Sequence, residues 1–343
     1  MTTVQSRALV VETPGTILLA DRAIPLPEQH QVLVRPDTVG LCGTDLEIID
    51  GRIDPSYVRY PIVLGHEWSG IVAQGGGEDA PAGARVVVEG IVPCGQCGNC
   101  RVGDTNLCDT YDEFGFTRDG AAADYLLAPS SLVHPVASSV TRGDAALVEP
   151  ASVVYRALTR TAIRPGCRIL VVGDGTVALL AVHLLRLWSP AESVVLGLRP
   201  GQAELAAAAG ATRFEMDPTA TGKAFDLVIE AAGTTAAALT AVAAARRGAT
   251  VVLLGLPPHG ETAAMALSEV VNNDLVLQCS FSYTAGAWRQ TVALLNAGLI
   301  RPGFLVTHQF LLEDWRKAIE TLRGAESPRG KVLLKITGRD GQR

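Results

Sequence analysis

"RILVVGDGTVALLAVHLL", residues 168 to 185, decides the fold. Ile169 to Val172 are continuously apolar, as a strand buried on both faces requires, and a run of apolar helix formers follows from Val177. Between them lies Gly173-Asp174-Gly175-Thr176-Val177-Ala178. The two glycines permit a tight turn and the close approach of backbone to a pyrophosphate, whose charge meets the helix N-terminus. Ala178 supplies a small residue where a third glycine often packs helix on strand. A lone Gly-x-Gly is weak and can be a plain tight turn; its place between strand and helix is what gives it meaning. Outward from it, "SVVLGL" (193 to 198), "FDLVIEA" (225 to 231) and "TVVLLGL" (250 to 256) repeat the apolar strand, with helical segments between. Continuous apolar strands alternating with helices imply a doubly wound α/β domain with a parallel sheet. Gly173, Gly175, Thr176 and Val177 are its expected nucleotide contacts.

The end of the second strand tests which nucleotide. NAD-binding folds often place Asp or Glu there, on the ribose hydroxyls. This strand continues "VVLGLRPGQ", so Arg199 stands where the carboxylate is expected. A guanidinium pairs with a 2′-phosphate, which predicts NADP in preference to NAD. The alternative is a solvated arginine, with NAD bound through neutral contacts.

Before residue 150 the pattern is different. Short runs such as "HQVLVRPDTVG", "ARVVVEG" and "ADYLLAP" sit between Gly and Pro, predicting an irregular antiparallel β domain. From about 286 a helix, "GAWRQTVALLNAG", leads to "FLVTHQFLLEDWRKAIETLRG" and a last strand, "GKVLLKI", a tail that can rejoin the first domain. The expected organisation is one domain from 1 to 149 and 286 to 343, with the α/β domain, 150 to 285, inserted in it.

The 343 residues carry a net charge of −6 and 48% hydrophobic positions. Such a chain is globular, long enough for two cores, and lacks the basic footprint of a nucleic-acid or anionic-membrane partner. "MTTVQSRALVVETPG" has no basic start followed by an apolar run, and the most apolar stretch is broken by Gly173 to Gly175, so neither a signal peptide nor a membrane span is read. A cytoplasmic protein acting on a small molecule is expected. In that reducing setting clustered cysteines point to metal.

Four of the seven cysteines fall in "CGQCGNCRVGDTNLC", residues 94 to 108. Cys94, Cys97, Cys100 and Cys108 can close around one ion on a glycine-rich loop. Four thiolates satisfy tetrahedral zinc and leave no open position, so this is a structural zinc and not the reaction centre; a redox cluster and an iron–sulfur centre are the alternatives. A catalytic zinc needs three protein ligands and a free position. Candidates are scattered: Cys42 in "VGLCGTDLEIIDG", His66 and Glu67 in "PIVLGHEWSG", Glu149 in "LVEPASVVYRAL". Singly, each has a plain explanation. Cys42 can be a small buried apolar residue, His66 a hydrogen-bonded imidazole, Thr44-x-x-Glu47 a helix capping box, and Glu149 a helix-start residue before Pro150.

Taken in order, "CGTD", "GHEWSG", the four-cysteine loop, "VEPASVVYRAL" and "VVGDGTVA" resemble the zinc-dependent medium-chain dehydrogenase/reductase family, over nearly the whole chain. The resemblance implies a mostly-β GroES-like catalytic domain built from both chain ends, with a Rossmann coenzyme domain between them. It implies that Cys42, His66 and a carboxylate, Glu67 or Glu149, hold a catalytic zinc. Glu149 stands where polyol-type members carry Glu and ethanol-type members a second cysteine, which points to polyols, sugars and cyclitols. Asp45 resembles the group that orients the ligand histidine, and Thr44 the hydroxyl that takes the alcohol proton. Glu47 lies where liver-type alcohol dehydrogenases have a relay histidine, so the outer proton path ends in water, Glu47 or ribose. The reaction implied is hydride exchange between a secondary alcohol and the nicotinamide. A primary alcohol or aldehyde substrate is the alternative. A homodimer or homotetramer is implied as well. Trp68, Phe116 and Tyr283 are candidate aromatic walls of the pocket, or core.

Overall fold

The computed structural model describes residues 3 to 324 and 328 to 337. Residues 1 to 2, 325 to 327 and 338 to 343 of the expected domains lie outside the described residues. The described chain forms two compact units. One takes residues 3 to 149, 283 to 324 and 331 to 337; the other takes 150 to 282 and 328 to 330.

The first unit is antiparallel, as its Gly and Pro punctuation predicts. Strands Thr3–Thr13 and Thr16–Pro25 pair as a hairpin, and Ile62–Val63 adds to the first of them. A larger sheet is organised by Gln31–Leu41, which is buried along most of its length and pairs with three neighbours. On one side lies Glu67–Gly75 and on the other Lys331–Lys335, so the last strand of the chain is built into the sheet that carries the early motifs. Their apolar faces meet in one core that includes Val34, Leu41, Ile48, Leu64, Trp68, Val332 and Leu334. Trp68 is therefore core and forms no pocket wall.

The unit boundaries differ from the expected 286 in a way the bonds explain. Tyr283 belongs with the first unit because its buried hydroxyl accepts the amide of Gly90 at 2.7 Å. Residues 328 to 330 belong with the second because the backbone of Arg329 is bonded to Gln202.

In the second unit Arg168–Val172, Glu192–Leu196, Arg213–Glu215, Phe225–Glu230, Ala245–Leu253 and Val276–Cys279 form a fully parallel sheet. Numbered along the chain, the spatial order is 3-2-1-4-5-6, so the order reverses beside Arg168–Val172, the kind of switch point at whose carboxyl ends open α/β sheets bind their ligands. The strand Val276–Cys279 escaped the sequence pattern because it is short and exposed at the sheet edge.

Candidate active site and coenzyme site

The metal-capable cluster grows from the facing ends of two paired strands. The strand Gln31–Leu41 runs into helix Gly43–Asp50, and Cys42 is the residue between them. Its sulfur caps the helix by accepting the amide of Thr44 at 3.3 Å, while Asp45 reaches back to the amide of Cys42 at 2.8 Å. The capping box is thus Cys42 with Asp45, not Thr44 with Glu47. A box one residue pair earlier leaves Thr44 and Glu47, both half-buried, free of that duty.

His66 and Glu67 enter from the next strand. The Nε2 of His66 lies 3.2 Å from the Cys42 sulfur, and its Nδ1 lies 3.6 Å from Asp45. Asp45 is fully buried, so the ring is aimed with Nδ1 toward the carboxylate and Nε2 toward the cysteine. Ligand atoms of Cys42, His66 and Glu67 all lie within 4.8 Å of one another. A soft thiolate, an imidazole nitrogen and a carboxylate converging on one point suit zinc and leave a fourth position open. Burial pushes the His66 imidazole down, but Cys42 and Asp45 outweigh it and hold its pKa well above the usual value.

Glu149 is not part of that tight group. It sits in the first turn of helix Val148–Thr159, buried. Burial first, and Glu67 second, raise its carboxyl to about 8. Glu113 is also buried; burial raises its pKa, and it accepts the Tyr111 hydroxyl at 2.6 Å. Burial, and then Glu149 and Glu113, hold the Tyr283 phenol well above its usual value. Phe116 is half-buried and tilts against His66 with ring centres 5.1 Å apart. Of the three aromatic candidates, Phe116 alone stacks on a metal-capable side chain among the described ring contacts.

Sequence reasoning missed Lys331. Its ammonium is buried and lies 2.5 and 2.7 Å from the two oxygens of Glu67, and it also reaches the carbonyl of Leu41. Gly40 makes room for this pair: a Cβ there would stand 2.6 Å from a Glu67 oxygen. The available signal was a lysine opening the strand "KVLLK" directly before three apolar residues.

The four-cysteine loop gathers as its spacing predicts, with all four sulfurs within 4.8 Å. Backbone amides of Cys94, Cys97 and Cys100 point at sulfurs of Cys108, Cys94 and Cys97 at 3.3 to 3.4 Å. Amides of Gln96 and Cys97 pull Cys94 down to about 6, while burial pushes Cys100 up to about 12. Four cysteine sulfurs gathered in this way suit tetrahedral zinc.

At the other site Gly173 has φ +125°, and a Cβ there would meet the backbone of Ala231 and Ala232 at 3.0 Å. Only glycine fits that turn. A Cβ on Gly175 would meet nothing within 4 Å, and Gly175 caps helix Thr176–Leu185 without a side chain. The first amides of that helix are therefore available to an anion. Thr176 and Val177 are half-buried at the mouth of the turn and Ala178 is buried against the sheet.

Two models of known families span this chain: the alcohol dehydrogenase GroES-like domain over residues 28 to 138, and the glucose dehydrogenase C-terminus over residues 143 to 325. The chain belongs to the zinc-dependent medium-chain dehydrogenase/reductase family. This dehydrogenase is 31% identical over 328 residues to a sorbitol dehydrogenase of Bacillus subtilis, covering 92% of each chain. It is 32% identical to a sorbitol dehydrogenase of Gallus gallus, covering 98% of each. Its fold matches a putative zinc-binding dehydrogenase of Sinorhizobium meliloti bound to NADP, with a TM-score of 0.90, 27% identity and coverage of 97% and 99%. The GroES-like and Rossmann folds implied by its motifs are therefore those of the family, and this dehydrogenase is an oxidoreductase. Among the described residues no helix is long and apolar enough to cross a membrane.

Proposed function

We propose that the protein is a zinc-dependent, NADP-preferring dehydrogenase of a secondary alcohol in a polyol, sugar or cyclitol, acting in the cytoplasm as a homodimer or homotetramer. The observation that carries this reading is the convergence of Cys42, His66 and Glu67, with Asp45 behind the imidazole. Cys42, His66 and Glu67 would hold the catalytic zinc; Glu149 stands by as a second carboxylate. The bound ion supplies Lewis acidity that makes an alcohol hydroxyl easier to deprotonate. Asp45 fixes the His66 tautomer and ring angle. Thr44 takes up the released proton at its hydroxyl, and Glu47 or water passes it outward. Cys94, Cys97, Cys100 and Cys108 would hold a second zinc that braces their loop and does no chemistry.

Glu149, a buried carboxylate beside Glu67, supports a polyhydroxylated substrate over a simple apolar alcohol. The sorbitol dehydrogenases that it resembles over nearly their whole length point the same way. In the second unit, Gly173, Gly175, Thr176 and Val177 would cradle the coenzyme pyrophosphate, and the coenzyme would supply the hydride acceptor for alcohol oxidation. Arg199 supports NADP: it stands at the end of its strand, held by Asp174 and carrying further donors. The test is zinc content per chain with initial rates on a panel of polyols, sugar alcohols and simple primary alcohols. Two zinc ions per chain and polyol oxidation sustain the proposal. Preference for ethanol or an aldehyde would overturn its substrate class.

A further inference from the structure

Asp174 lies between the two glycines of the phosphate loop, yet its carboxylate faces the end of strand Glu192–Leu196. One oxygen accepts the amides of Leu198 and Arg199, both at 2.9 Å; the other accepts Nε and Nη2 of Arg199 at 3.1 and 2.6 Å. Gly197 leaves the room for it, since a Cβ there would stand 2.8 Å from the same carboxylate. The backbone of Asp174 is fixed as well. Its carbonyl accepts the amide nitrogen of the completely buried Gln202 at 2.7 Å and Nη2 of Arg199 at 3.2 Å. The carboxylate therefore cannot swing away from the guanidinium without giving up its bonds to both side chain and backbone.

That grip decides how much of Arg199 a ligand can use. A guanidinium reads phosphate best through two neighbouring N–H groups, each bonded to its own oxygen. The edge made by Nε and Nη2 is closed by the carboxylate, and Nη2 is committed to the Asp174 carbonyl besides. Among the described residues Nη1 makes no hydrogen bond, so one nitrogen of the fork is left. Only 23% of the Arg199 side chain and 11% of the Asp174 side chain are exposed, so dissolved salt screens this ion pair little. Burial pushes the Asp174 carboxyl up, but Arg199 and the amides that face it hold it below the usual range, and it meets the coenzyme charged. A 2′-phosphate arriving here either accepts Nη1 alone or takes the fork from a carboxylate that then stands beside it as a like charge. A ribose hydroxyl meets neither obstacle.

We infer that Asp174 is a specificity-determining residue that competes with the coenzyme 2′-phosphate for Arg199, and so keeps the preference for NADP over NAD smaller than the arginine alone would give. This rests on the proposed NADP preference and deepens it. The experiment is a fluorescence titration of the full-length zinc-loaded protein with NADPH and NADH, for wild type, Asp174→Asn, Arg199→Gln and the double variant. Asn keeps one oxygen for the amides of Leu198 and Arg199 and turns donors toward the guanidinium, which frees the fork. Asp174→Asn is expected to raise the NADPH to NADH affinity ratio about tenfold, the worth of one further charge-assisted hydrogen bond. In the Arg199→Gln background the same change should move the ratio less than about threefold. A gain as large without Arg199 would make Asp174 a charge acting on the coenzyme directly and overturn the competition. A ratio that falls in Asp174→Asn would make Asp174 a support of Arg199, and a ratio that stays level would make the pair a brace of the loop; either overturns the proposal. Equal or tighter NADH binding by wild type overturns the coenzyme reading itself, and a gain in Asp174→Asn that needs Arg199 would then still stand. Competition against NADPH locates the freed guanidinium. In Asp174→Asn 2′-AMP should compete about tenfold better than in wild type, and 5′-AMP no better. A matching gain for 5′-AMP would set the guanidinium against the pyrophosphate and overturn the assignment.

Discussion

The two metal-capable clusters use the same chemistry at opposite sequence scales. The four cysteines lie within fifteen residues, and neighbouring amides of the same loop point at their sulfurs. The other cluster joins Cys42 to His66 across 24 positions, and its carboxylate is held by a lysine 264 positions away. A local loop can close on its ion whatever surrounds it. The dispersed site exists only after the sheet of both chain ends is built, so its ligands are also parts of the core. Damage to the first should stay local, while damage to the second should reach both activity and stability.

The largest expected effect tests that division. His66→Ala should lower kcat/KM about 10³-fold, the loss of ~4 kcal/mol of transition-state stabilisation, and remove one of two zinc ions. Cys97→Ser should also remove one zinc, but leave activity above that of His66→Ala by at least about tenfold when both are measured soon after purification. Equal loss of activity in the two variants would erase the contrast between them.

Next comes the ion pair beneath the dispersed site. Lys331→Met leaves the buried Glu67 carboxylate without its cation and should destabilise the protein by about 3–5 kcal/mol in urea unfolding. The double variant Lys331→Met with Glu67→Gln should recover most of that loss, because no lone buried charge remains. If the double variant is no better than the single, lost packing and not charge is responsible. A smaller effect is expected behind the histidine. Asp45→Asn should weaken zinc at the dispersed site about 10- to 100-fold in a chelator competition and leave the cysteine loop loaded.

The same division explains what is legible before folding. The cysteine loop and the Gly173 to Ala178 turn are legible because each is a contiguous signal whose geometry is set by its own spacing. The parallel sheet is legible from its apolar runs, although Val276–Cys279, exposed at the edge, is not. Family resemblance gathers Cys42, His66 and Asp45, but no periodicity could. Lys331 stays hidden because its partner is chosen by antiparallel register, which sets Val332 opposite Leu41 and Glu67 opposite Gly40. Thr44 and Glu47 match the pattern of a cap, but the cysteine before them takes that role because its sulfur accepts an amide.

The smallest effect probes the dispersed site without its ion. Burial and the neighbouring Glu67 raise the Glu149 carboxyl from an ordinary 4.5 to about 8 in the folded chain. Between those values the folded state holds a proton that the unfolded state has released. The stability contributed by that proton is fully present below pH 4.5 and is lost as pH rises through 8. Chelated wild type should therefore lose stability across this window by more than Glu149→Gln does. The gap should be at least ~1.4 kcal/mol, a tenfold change in the folding equilibrium. Zinc should shrink the gap, since a cation near the carboxylates favours their charged forms. Parallel pH profiles for chelated wild type and Glu149→Gln would place Glu149 away from the buried cluster. A gap unchanged by zinc would place the ion elsewhere than beside Glu67, and the dispersed cluster would then be a buried polar network of the core like any other.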